Sequence, residues 1–250
     1  MTVKQTLLRG VNAALGPLGF RLGRSGYVAF EDYRGFIPFA QTLGEAQAAG
    51  LSVTDYVDSH YNVAGATQAT VDRMVEMGAL HAGVARVCEL GPGSGRYLEK
   101  VQKACRPAAY EVYETALDWR DYVVRTFGVV GHDADGVSLK QTPDGSCDLV
   151  HAHKVFPGVP FLSTCRYFIE MARIARPGGH VVFDIVTEDC MVPATLASWL
   201  GDSADYQVYP NLLPRQYVRE LMAGRGLDLV GSFPVPMKPG ATECFVFVKR

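Results

Sequence analysis

The chain has 250 residues, 48% of them hydrophobic, with 26 glycines, 14 prolines and a formal net charge of −2 at pH 7. That length and apolar content allow a full hydrophobic core, most simply one domain with a cap. The near-neutral balance, with no Lys/Arg cluster interleaved with aromatics, excludes bulk attraction to nucleic acid, and no apolar run reaches the length that spans a bilayer.

In chain order, residues 3–15 place Leu7, Leu8, Val11 and Leu15 along one helical face. Arg9 and Asn12 interrupt the unbroken apolar centre that a signal peptide needs. With Arg21 and Arg24 nearby, this stretch reads as a membrane-surface helix or, more simply, as a packing or homodimer-forming arm. Tyr27, Phe30, Tyr33, Phe36 and Phe39 follow, too many large apolar groups for a plain linker. Ser52 to Asp55 forms a helix start, with Val53, Tyr56, Val57 and Tyr61 on one face, and a second helix runs over residues 67–77.

Arg86 to Leu90 is then a short apolar strand carrying one acid, Glu89, and Gly91, Gly93 and Gly95 follow at alternate positions before a helix-compatible segment. Alternate glycines let the chain turn sharply and let a ligand reach main-chain N–H groups. Glu89 argues against a dinucleotide, whose pyrophosphate it would repel, and suits a cofactor carrying an ammonium group. A second strand over residues 109–113 ends at Glu114, about 20 residues past the glycines, where an acid can accept both ribose hydroxyls. The third strand, residues 129–131, leads into His132-Asp133-Ala134-Asp135. A turn at Thr142-Pro143-Asp144-Gly145, a fourth strand at residues 147–153, a helix at residues 162–175 and the stop Arg176-Pro177-Gly178-Gly179 precede an apolar fifth strand at residues 180–186. A short helix at residues 193–200, a loop to Pro214 and a helix at residues 215–223 lead to two final strands, residues 227–233 and 243–248, paired antiparallel. The six cysteines show no C-x-x-C spacing and read as small core residues of a reducing compartment, which makes the expected location cytoplasmic.

The run Glu-x-Gly-x-Gly-x-Gly at residues 89–95 resembles motif I of class I S-adenosylmethionine (SAM) methyltransferases, and the Arg-Pro-Gly-Gly stop and the seven-strand count resemble their layout over roughly residues 84–250. The resemblance implies an α/β fold, a doubly wound seven-stranded Rossmann-like sheet, with residues 1–80 as N-terminal helical arm and cap and residues 81–250 as the SAM-binding core. It assigns SAM to Glu89, Gly91, Gly93, Gly95, Glu114, Asp133, Ala134 and His151, with Asp133 reaching the adenine amino group or, in the plainer reading, forming a turn. Tyr61 and Thr67 become lid contacts, or a core tyrosine and a helix N-cap.

In such a sheet the chemistry belongs at the carboxyl ends of the strands. Alternation along strand four puts His151 and His153 on one face, and a neutral imidazole is a suitable general base for a hydroxyl. His153, nearer the tip, is the favoured base, and His151 lies closer to the cofactor. Glu188 and Asp189, after strand five, resemble the Glu-Asp pair of metal-dependent sugar O-methyltransferases acting on macrolides, which implies a Mg²⁺ site. Those enzymes add an Asp after strand four, where this chain has His151-Ala152-His153, and a helix-capping pair is the other reading. The expected function is SAM-dependent O-methylation of a small molecule, a sugar or glycan preferred. Residues 181–189 and 234–237 also resemble actinobacterial methyltransferases of glycan and natural-product pathways. The alternatives are lipid or polyketide O- or C-methylation, with residues 27–39 as substrate wall, and a non-catalytic SAM-binding partner protein.

Overall fold

A computed structural model of the chain describes residues 37–202 and 210–250. The expected arm over residues 3–15 and the aromatics Tyr27, Phe30, Tyr33 and Phe36 lie outside the described residues. Three helices come first: α1 (Phe39–Ala48), α2 (Val53–His60) and α3 (Ala66–Glu76). The Ser52 side chain starts α2 by accepting the Asp55 N–H at 3.1 Å. The helix N-cap expected at Thr67 is instead Gly65, at φ 77°, a left-handed turn that glycine adopts without strain.

From β1 (Arg86–Leu90) the chain alternates through α4 (Arg96–Cys105), β2 (Ala109–Glu114), α5 (Leu117–Phe127), β3 (Val130–Asp133), β4 (Cys147–Ala152), α6 (Phe161–Ile174), β5 (Ala175–Ile185), α7 (Pro193–Asp202), α8 (Arg215–Ala223), β6 (Leu227–Pro236) and β7 (Ala241–Lys249). The strands form one seven-stranded sheet in the order β3-β2-β1-β4-β5-β7-β6, with β7 antiparallel to both of its neighbours. The doubly wound sheet and its antiparallel final pair are as the sequence implied.

Near-continuous apolar strands need cover on both faces, and helices supply it. Leu90, Val150, Phe183 and Phe245 pack on one face with Phe168 and Met171 of α6. Val87, Val112, Leu149, Val182 and Val246 pack on the other with Leu98 and Val101 of α4 and with Met74 of α3. Polar contacts also tie the N-terminal helices to this body. Thr54 donates to Glu99 at 2.7 Å, Asp58 pairs with Arg96 at 3.2 Å, and the Trp119 Nε1–H donates to the Ile37 carbonyl at 2.8 Å.

One local expectation changes. Arg176-Pro177-Gly178-Gly179 ends no free-standing turn: Ala175 already pairs with Cys147, and pairing resumes at Leu149 with His180, so the four residues bulge out of a strand that began earlier. Gly179 is forced there, because a Cβ would stand 2.7 Å from the Cys147 carbonyl oxygen. The segment between β3 and β4 is without a helix, as the turn signal at Thr142-Pro143-Asp144-Gly145 suits. Asp135 instead accepts the N–H groups of Val137 (3.0 Å) and Ser138 (2.7 Å), an Asx turn that competes with helix formation.

Candidate functional site

The glycine loop leaves β1 at the sheet's carboxyl edge. Gly91, Gly93 and Gly95 have φ of 60°, 50° and 80°, so all three need a residue without a Cβ. Their surroundings differ. A Cβ at Gly91 would stand 2.6 Å from Val155 and one at Gly95 2.5 Å from the Phe127 ring, whereas at Gly93 it would meet no atom within 4 Å. The outer two glycines therefore serve packing, and the middle one faces open space. Gly95→Ala is expected to cost about 1–3 kcal/mol through the ring contact and the left-handed φ. Urea denaturation measures it, and a loss below about 0.5 kcal/mol, the scale of an ordinary surface change, overturns this account.

Glu114 ends β2 beneath the loop, where one carboxylate oxygen accepts the Gly93 N–H at 3.0 Å and the other the Ala116 N–H at 2.9 Å. Burial raises its pKa, and these backbone N–H groups offset part of that rise. Asp133 lies opposite Glu114 in the β2–β3 register, and its exposed carboxylate is held by Arg120 at 2.6 Å. Ala134 follows, partly buried against the core.

Glu89 points into the sheet's other cluster and is fully buried. Its carboxyl oxygen receives the Tyr110 hydroxyl at 2.6 Å, and that same hydroxyl lies 2.9 Å from His151 Nε2. Burial pushes Glu89 up to about 8, with the Tyr110 hydrogen bond opposing it.

At the tip of β4, His153 stacks on Tyr97 of α4, ring centroids 4.1 Å apart, and lies 5.3 Å from the His151 ring. Both ring nitrogens of His153 and Nδ1 of His151 are buried without a hydrogen-bond partner among the described residues. Such groups are costly unless a ligand or water completes them. Burial lowers the His153 pKa to about 4, although nearby Asp184 works the other way. His151 is lowered well below its ordinary value, by burial and then by His153.

Lys154, at φ 60°, turns the chain away from this tip. Its N–H donates to Asp184 at 2.6 Å and its ammonium pairs with the same carboxylate at 3.0 Å, so β4 and β5 are clamped beside His153. The Lys154 ammonium holds Asp184 below its ordinary range against the opposing effect of burial.

The acids at 188–189 are differently placed. Asp189 pairs with the Arg215 guanidinium at 2.7 Å, Glu188 accepts the Arg215 backbone N–H at 2.8 Å, and the same guanidinium reaches buried Glu243 at 2.8 Å. A basic neighbour thus compensates the pair. The donor set fits an arginine rather than Mg²⁺, and no cluster of three or more His, Cys, Asp or Glu suited to a metal occurs among the described residues. Thr67 is taken by Asp58 and Arg96, and Tyr61 is exposed, 3.4 Å from Glu45; neither occupies the loop.

The carboxyl edge of the sheet thus gathers Gly93, Glu114, Glu89, His151 and His153. A family model described as a methyltransferase domain matches residues 60–232, more than half of the chain. The chain belongs to this methyltransferase family. A search of curated proteins finds no match. Among solved structures, this methyltransferase resembles an O-methyltransferase family protein from Burkholderia thailandensis, with TM-score 0.59 and 16% identity over 99% of this chain and 70% of the other. It also resembles magnesium protoporphyrin IX methyltransferase from Synechocystis PCC 6803, a structure with bound S-adenosylhomocysteine (SAH), with TM-score 0.58 and 12% identity over 99% and 100%. A Haloferax volcanii methyltransferase in complex with the activator Trm112 gives TM-score 0.59 and 15% identity over 82% and 96%. At such identities the likeness establishes the fold. The enzyme is a SAM-dependent methyltransferase, and no helix among its described residues is long and apolar enough to cross a membrane.

Sequence reasoning missed Tyr110, Asp184 and Lys154. Tyr110 alternates with Val112 and Glu114 on β2, and Asp184 is a lone acid in an apolar strand; those were the available signals. Nothing in the sequence marks the left-handed φ of Lys154.

Proposed function

We propose that this methyltransferase transfers the SAM methyl group to a hydroxyl of a small acceptor, with His153 as general base. The single observation behind this reading is the pair of unpartnered imidazole nitrogens of His153, buried at the strand-four tip beside the glycine loop. In this reading Glu114 accepts the ribose hydroxyls, Gly93 lets the cofactor approach the main chain, Asp133 and Ala134 border the adenine, and Glu89 faces the amino-acid end. SAM supplies a methyl group on a cationic sulfur. His153 orients the acceptor hydroxyl and removes its proton, and the Tyr97 ring fixes the imidazole plane. Turnover of SAM to SAH with a panel of sugars, phenols and lipid alcohols tests the reading, and methylation at carbon alone would overturn it.

A sugar acceptor held through a metal would need Glu188 and Asp189 as ligands of a diol-binding Mg²⁺, a role Arg215 leaves little room for. An apolar acceptor, lipid or polyketide, gains support from Val192, Leu196 and Leu200, which follow β5 at four-residue spacing and are all exposed. Activity is accordingly expected to survive exhaustive chelation within about twofold. A loss of tenfold or more that Mg²⁺ restores would return the metal and the sugar acceptor to first place.

A further inference from the structure

Tyr110 has one hydroxyl proton and two partners. Its oxygen lies 2.6 Å from Glu89 and 2.9 Å from His151 Nε2, and all three residues are buried. Two proton arrangements that differ in the charge on Glu89 satisfy both contacts with a neutral histidine. With Glu89 ionised, Tyr110 donates to Glu89, His151 Nε2–H donates to Tyr110, and His151 Nδ1 is bare. With Glu89 protonated, Glu89 donates to Tyr110, Tyr110 donates to Nε2, and the histidine proton sits on Nδ1. The two differ by one proton. It enters or leaves at Nδ1, the nitrogen without a partner, while the charge appears or vanishes at Glu89.

We infer that Glu89, Tyr110 and His151 form a proton chain that takes up, at the strand-four tip, the proton lost by the methyl acceptor and delivers it to Glu89. The inference rests on the cofactor reading above. The acceptor O–H bond breaks, and its proton passes through His153 to His151 Nδ1, between rings whose centroids stand 5.3 Å apart, a separation one bridging water can span. His151 Nε2 gives its proton to the Tyr110 oxygen, and Tyr110 gives its own to Glu89. The acceptor oxygen's electron pair forms the bond to the methyl carbon, and the pair of the broken carbon–sulfur bond stays on sulfur. A cationic sulfur and a carboxylate thus become a neutral thioether and a neutral acid, so no uncompensated charge is left in a buried site.

The surroundings agree with this direction of transfer. Glu89 is faced by Tyr110 from β2, His151 from β4, Arg96 from the first turn of α4 and Glu114 at the end of β2. Arg96 is engaged by Asp58 and Thr67, so no cation of the described chain contacts Glu89. Around the other members lie Cys88 and Cys105, near Tyr110, and His153, near His151. His153, at about 4, gives up a proton readily, and burial favours the neutral acid at Glu89 once the sulfonium charge is gone.

Calorimetric titration of the whole protein with SAM and with SAH, at pH 7 in buffers of different ionisation enthalpy, counts protons without any acceptor. The two ligands share every group but the sulfonium. SAM is expected to release more protons than SAH, by up to one, because both ligands bring the ammonium that faces Glu89 and only SAM adds the sulfonium charge that further favours ionised Glu89. In Glu89→Gln the difference should vanish. In Tyr110→Phe it should shrink toward zero, since ionised Glu89 loses its hydrogen-bond donor, and SAH binding by each variant reports that it has folded. Equal proton counts for SAM and SAH in the wild type would overturn the inference alone, as would a Tyr110→Phe variant with the full difference. Failure of both ligands to bind the wild type would overturn the cofactor reading and the inference with it.

Discussion

His153→Ala is expected to bind SAM as the wild type does and to lose turnover by roughly 10²–10⁴-fold, the usual share of a general base. The ring touches no hydrogen-bond partner among the described residues, so its removal breaks no polar contact of the fold and leaves the glycine loop intact. With its pKa lowered to about 4, His153 stays neutral throughout ordinary working conditions. The acid limb of the turnover profile should therefore lie near pH 4 rather than near the ordinary histidine value of about 6.5. The same shift bears on stability. Below pH 6.5 the unfolded chain takes up a proton that native His153 refuses, so stability present above that pH is lost as the pH falls toward 4, by about 3 kcal/mol in all. His153→Ala should abolish that share of the acid sensitivity in urea titrations at pH 7 and pH 4.5. A variant that keeps its turnover, or loses SAM affinity in proportion, would move the base to His151.

The fold was legible because its determinants are local. Apolar runs, glycine punctuation and helical periodicity mark β1, β2, β4, β5 and the helices between them, and Glu89 and Glu114 are found by distance from the glycines. The boundaries missed are those set by tertiary contact. A Pro-Gly-Gly run reads as a stop in the chain alone, yet β4 recruits Ala175 ahead of it and turns the run into a bulge. His151 and His153 could be singled out as strand-tip residues. Their chemistry could not, because it depends on neighbours from other strands: Glu89 and His151 face each other only once β1 lies beside β4, and Tyr110 joins them only from β2 on the other side. The acidic pair at 188–189 misled for the same reason. A carboxylate pair in sequence is electrostatically unfinished, and whether a cation or an arginine completes it is decided by α8, which delivers Arg215 from more than twenty residues away.

Glu114→Ala should weaken SAM binding by about 2–4 kcal/mol, through two lost charge-assisted hydrogen bonds. The carboxylate spends one interaction per oxygen on backbone, at Gly93 and at Ala116, which fixes its plane and leaves lone pairs for ribose hydroxyls. Substitution to alanine removes both functions: the acceptors for the sugar, and the tie that holds Gly93 over the strand end. Glu114→Gln separates them. An amide keeps one acceptor oxygen, so it can hold either Gly93 or Ala116 but not both, and it turns a donor toward the other N–H. The glutamine variant should therefore retain the fold and lie between wild type and alanine in affinity. Burial raises the pKa of Glu114, so SAM affinity should also fall on acidification, as the carboxylate protonates before an exposed glutamate would. Calorimetry of wild type and both variants at pH 7 and pH 5.5 measures all of this. Wild-type affinity in a folded Glu114→Ala protein would remove Glu114 from the ribose site and leave it as a loop anchor alone.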